Sequence, residues 1–148
     1  MKSILTFLFV AFLYFGSTAF AQTEYLKWKP LVINEKQRIW YDESSAFDSL
    51  TGTFNVWILQ MHRPPLEFNE LPGKIYRSQT LYGVNIKTGK YGILHVIYYD
   101  VNNKEIYNFN YHIDDYPNNL KYTYPISDNS FMNKLITLLN KSKSKEQN

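Results

Sequence analysis

Residues 76–99 read YRSQTLYGVNIKTGKYGILHVIYY. Polar and apolar side chains alternate on both sides of Thr88-Gly89-Lys90, a turn tripeptide, so the stretch predicts an antiparallel hairpin of strands 76–87 and 91–99. Tyr82, Val84 and Ile86 then share one face, with Arg77, Gln79 and Asn85 on the other. The same period of two extends outward through most of 26–112. Segments 26–33 and 37–41 make a first hairpin about Asn34-Glu35-Lys36, and Asp42-Glu43-Ser44-Ser45 breaks the pattern with residues that favour turns. Thr51-Gly52 opens a strand over 53–62 with Phe54, Val56 and Ile58 on one side and Trp57, Leu59 and Met61 on the other. Both sides are apolar, which predicts a central strand or one covered on both faces. Arg63-Pro64-Pro65 is expected to end it, since proline donates nothing to a ladder, and to open an irregular loop reaching Pro72-Gly73. After a turn at 101–104, strand 105–113 alternates Tyr107, Phe109, Tyr111 and Ile113, read as facing inward, against wet Asn108, Asn110 and His112.

Helical spacing enters only after Pro125. Ser127 or Asp128 is positioned to cap a helix whose Phe131, Leu135, Leu138 and Leu139 form one apolar stripe. A lone amphipathic helix after an antiparallel sheet buries its stripe on the sheet. The predicted class is therefore α+β: an antiparallel sheet of about six strands with a C-terminal amphipathic helix packed on one face. The tail 141–148 has no apolar residue and is expected to be disordered.

The other end of the chain carries a different signal. Lys2, an apolar run from Ile4 to Phe15 and the small residues of Ala19-Phe20-Ala21 read as a secretory signal peptide over 1–21, leaving Gln22 as first residue of a single domain over 22–140. The expectation is an exported protein, periplasmic or secreted, with no integral membrane segment in the processed chain. A net charge of +3 with scattered basic residues is no nucleic-acid footprint. The chain has no cysteine, which removes disulfides, thiolate ligands and the lipid-modified cysteine of a bacterial lipoprotein. Burial alone must hold the fold, and the tyrosines, all but Tyr14 of the 13, with Trp28, Trp40 and Trp57 supply the area for it.

Residues with catalytic or ligating chemistry are few. His62, His95 and His112 fall on different predicted strands without a second ligand at i+2 or i+4. Asp114-Asp115 beside His112 reads as a solvated turn, and Ser44-Ser45 after Asp42 as a capping turn. There is no Gly-x-Ser-x-Gly elbow, phosphate loop, His-Glu-x-x-His or calcium loop. No catalytic residue, cofactor or metal site is assigned, and the chain is read as a non-enzyme. Its aromatic excess points instead to recognition, where Tyr and Trp with Arg dominate. The candidate partner-binding residues are Arg63, Leu66, Phe68 and Leu71 in the proline-flanked loop, with Trp57. The partner itself, a protein or a small ligand, is not specified. The alternative is a periplasmic small-ligand carrier or hydrolase built on a histidine-containing pocket.

Trp40-Tyr41-Asp42-Glu43-Ser44-Ser45, Val56-Trp57-Ile58-Leu59, Tyr98-Tyr99-Asp100 and Tyr124-Pro125-Ile126-Ser127 together resemble the surface-adhesin protein E family over roughly residues 28–140. The resemblance implies a small exported bacterial domain with about six antiparallel strands and a C-terminal helix on the concave face. It also implies an adhesin-like role, since the family's named adhesin is an outer-membrane lipoprotein that binds host matrix and serum proteins. The family's disulfide, from near residues 84–86 to the end of the helix, has no counterpart here, nor has its lipid-anchor cysteine.

Overall fold

The computed structural model describes residues 26–44, 47–48, 52–111, 117 and 121–146, the last five and 47–48 as backbone only. The segment expected to be a signal peptide with its cleavage site, His112, Ile113 and Asp114-Asp115 lie outside the described residues. Among the described residues eight strands are formed: β1 (Trp28–Ile33), β2 (Arg38–Asp42), β3 (Phe47–Asp48), β4 (Thr53–Leu66), β5 (Ile75–Asn85), β6 (Lys90–Tyr99), β7 (Glu105–Asn110) and β8 (Tyr124–Pro125). They are followed by one helix, α1 (Phe131–Glu146). The main sheet runs β1-β2-β4-β5-β6-β7 with every pairing antiparallel, while β3 adds to β4 and β8 to β6. The predicted α+β class is the observed one.

Turn chemistry explains the meander. At 34–37 the Asn34 carboxamide oxygen accepts the amides of Lys36 (2.9 Å) and Gln37 (2.7 Å). At 100–104 Asp100 Oδ1 accepts those of Asn102 and Lys104, both at 2.8 Å, and Asn103 takes a left-handed φ of 62°. Asp42, expected at a capping turn, is buried; its carboxylate accepts the Lys27 amide (2.7 Å) and the Ser44 hydroxyl. Ser44 is thereby fixed as a turn residue.

Four expectations are corrected. Arg63-Pro64-Pro65 does not end β4, which continues to Leu66 and pairs it with Ile75. The prolines sit in a register irregularity between Met61 and Leu66, and β2 has already ended its pairing with β4 at Met61. They therefore interrupt no ladder bond. In α1, Leu138 is not part of the buried stripe: it is 37% exposed, and Met132 and Leu135, both at 0%, form the buried row with Phe131, Ile136 and Leu139 at its margins. The cap is Ser130. Its hydroxyl accepts the Asn133 amide (3.2 Å) and donates to the Ser127 carbonyl (2.7 Å), while Asn133 Nδ2 donates to the Asp128 carbonyl (2.7 Å). Finally, α1 does not stop before Lys141, and the tail expected to be disordered is helical through Glu146.

The core lies between α1 and one face of the sheet. Val32, Ile39, Tyr41, Phe54, Val56, Ile58 and Val84 meet Met132 and Leu135 there, with Tyr82 and Tyr91 at the border. Gly92 admits the chain that leads into β8: a Cβ at that position would run into the Lys121 carbonyl oxygen. Among the described residues, no helix is long and apolar enough to cross a membrane.

Candidate functional site

β6 and β7 pair Tyr98 with Tyr107 and Val96 with Phe109, so alternation sets Tyr107, Phe109 and Tyr111 along one face. Through Tyr98↔Ser78 and Ser78↔Gln60, this is the face that carries Ile58 and Val56 in the core. α1 does not reach so far. The rings instead stack on one another: Phe68, from the connection after β4, on Tyr98 (6.1 Å), Tyr98 on Tyr107 (5.9 Å), Tyr107 on Phe109 (6.3 Å), and Phe109 edge-on to Tyr111 (4.5 Å). Phe68 is 45% exposed, and Phe109 and Tyr111 are each 42% exposed. The inward, buried position expected of Tyr107, Phe109 and Tyr111 is therefore corrected to a half-wet aromatic row. Burial, and then the neighbouring Tyr111 and Tyr107 phenols, raises the pKa of Tyr98.

β7 is the last strand of the main sheet. Tyr111 donates its amide to the Leu94 carbonyl (2.9 Å). The antiparallel alternation then turns the main-chain groups of Asn108 and Asn110 away from β6.

A second feature lies where β4 passes into β5 and β6 into β7. Met61, His62, Arg63, Pro64, Pro65, Tyr76 and Arg77 line a groove of about 380 Å³ closed by Asp100, Val101 and Asn103. The Arg77 guanidinium lies 4.0 Å over the Tyr99 ring, and the Tyr99 hydroxyl donates to Gln79 Oε1 (3.1 Å). His62 Nε2 is 3.0 Å from Ser78 Oγ, and burial lowers the pKa of its imidazole, which favours the neutral ring.

The candidate binding residues are dispersed by the fold. Phe68 joins the aromatic row, Arg63 the groove, Leu66 is exposed at the end of β4 and Leu71 is half-buried. Trp57 lies on the opposite side of the sheet, its ring 5.2 Å from that of His95 across Leu81. His95 also bonds Asn108 Oδ1 (2.6 Å), so His62 and His95 share neither a face nor a cavity. Among the described residues no three His, Cys, Asp or Glu side chains cluster as metal ligands. The sequence reading did not assign Tyr98, Tyr107, Phe109 and Tyr111 to a site, although their period of two was visible. No protein-family model, curated protein or solved structure matches the chain.

Proposed function

We propose that the chain is an exported, non-catalytic bacterial envelope protein that binds a protein or other ligand through the aromatic row Phe68-Tyr98-Tyr107-Phe109-Tyr111, an adhesin-like role. The observation that carries this reading is a contiguous run of aromatic rings left half-exposed along the last strand of the sheet. Rings held by their neighbours lose little freedom on binding, and aromatic anchors dominate recognition surfaces. The outward main-chain groups of β7 add a second means of holding an extended partner segment. Export rests on the Lys2, apolar-run and Ala19-Phe20-Ala21 pattern.

The test is quantitative capture from native envelope extract by wild type and by the Phe109→Ala/Tyr111→Ala double variant. A specific band lost in the variant supports the aromatic face; equal capture by both refutes it. Intact mass of exported protein should give Gln22 as first residue, and exported material still beginning at Met1 would remove the signal-peptide reading.

The second reading, a small-ligand carrier or hydrolase with a histidine pocket, is favoured by one contact, His62 with Ser78 beside the groove. Against hydrolysis, Ser78 is 6% exposed. Turnover of an activated ester that disappears in Ser78→Ala would promote this reading above the first.

A further inference from the structure

The groove at the β4–β5 end has a charge pattern that its walls leave unbalanced. Arg63 and Arg77 both line it. The described ion pairs are Lys29–Glu43 and Lys74–Glu67, neither of which involves these arginines. The one carboxylate in the wall, Asp100, balances only one of the two, and its Oδ1 accepts the amides of Asn102 and Lys104. Arg77 carries a second mark. Its Nε is buried and has no hydrogen-bond partner among the described residues, a condition that costs free energy until an acceptor arrives. Its guanidinium carbon lies 4.0 Å from the centre of the Tyr99 ring, a cation–π contact that holds the head group at the groove wall.

The rest of the wall is mainly apolar, from Met61, Pro64, Pro65 and Val101, and about 380 Å³ falls in the usual range for small-molecule sites. A planar carboxylate meets a guanidinium edge through two parallel hydrogen bonds. We propose that this groove binds a carboxylate borne on a compact apolar body, with Arg77 and Arg63 holding the anion and the prolines and Met61 covering the body. The inference is independent of the aromatic row. Its ligand is either a free organic acid or the C-terminal carboxylate of a peptide.

The experiment is an amide-resolved NMR titration of the full chain with 3-phenylpropionate, its neutral amide, the peptide Ala-Ala-Phe and the same peptide amidated at its C-terminus. Saturable shifts around residues 61–65, 76–77 and 100–103 are expected with a carboxylate and not with its amide, and the stronger of the two carboxylates identifies the source. Arg77→Gln should weaken binding about tenfold or more, and Arg63→Gln, at an exposed position, gives the same reading if Arg77→Gln does not fold. Phe109→Ala should leave the affinity unchanged, which separates this proposal from the aromatic-face reading. Absence of saturable shifts, equal binding of the amides, or unchanged affinity in the arginine variants overturns it.

Discussion

One face of the sheet contains two halves built on the same alternation and finished differently. In β4 the even residues Phe54, Val56 and Ile58 are buried beneath Met132 and Leu135 of α1. In β7 the corresponding row of Tyr107 and Phe109, on the same face, lies against neighbouring rings and stays partly exposed, Phe109 by 42%. The core draws on β1, β2, β4, β5 and the start of β6, and no residue of β7 belongs to it. Alternation therefore establishes which side chains share a face. Whether that face is dry depends on how far the helix reaches. The dry half should govern stability and the wet half recognition, and substitutions can break that division.

The largest effect belongs to the dry half. Leu135→Ala removes a side chain with no exposure and should cost about 2–5 kcal/mol, a large share of the ~5–15 kcal/mol that stabilises a domain. Leu138→Ala, at 37% exposure, should cost well under half as much. Urea unfolding of the two variants checks this. Equal losses would mean that α1 is seated differently on the sheet.

That contrast also marks what was legible in the sequence. The hairpin about Thr88-Gly89-Lys90, the first hairpin and the final helix follow from period and turn chemistry, because those signals are local. The phase of the helix followed in part: Leu135 is buried with Phe131 and Leu139 beside it, as the spacing predicts, but Leu138 and Leu139 are equally apolar, and only the seat of α1 on the core strands makes Met132 rather than Leu138 the partner of Leu135. The prolines at 64–65 misled for a related reason, since a ladder is broken only where a partner strand is present to pair with. The groove joins residues 61–65, 76–77 and 100–103 and depends on the strand order, so no local motif announced it.

Next in size is Gly92→Ala, at the edge between the halves. The added methyl collides with the Lys121 backbone rather than with a flexible side chain, and overpacking of this kind costs roughly 1–3 kcal/mol. The loss should appear as early hydrogen exchange at residues 121–126 before the rest of the sheet opens. Ser130→Ala should follow at about 1 kcal/mol, the usual worth of a helix cap.

Smaller again in stability is Phe109→Ala in the wet half. Its ring is 42% exposed and its gain comes from Tyr107 and Tyr111, so the cost in urea unfolding should not exceed ~1 kcal/mol, while partner capture should fall sharply. A large stability loss with capture intact would reverse the roles of the two halves.

The last effect is absent at neutral pH and appears only in alkali. Tyr82 sits between Tyr91 (5.6 Å) and Phe131 (5.9 Å) at the margin of the dry half. Burial, reinforced by the Tyr91 phenol, pushes its pKa from 10.0 up to about 12. Burial also raises the pKa of Tyr98 in the wet half. In an ultraviolet titration Tyr82 should therefore be the last phenol to ionise before the fold opens. Its folded pKa lies above the unfolded one, so between pH 10 and about 12 the folded state holds a proton that the unfolded state has released. Its contribution to stability is full below pH 10 and declines as pH rises through that window. Tyr82→Phe should remove this component of the alkaline slope and leave stability at pH 7 nearly unchanged. If the slope persists in Tyr82→Phe, the phenol is solvated and the boundary between dry and wet halves lies nearer to α1 than the ring contacts place it.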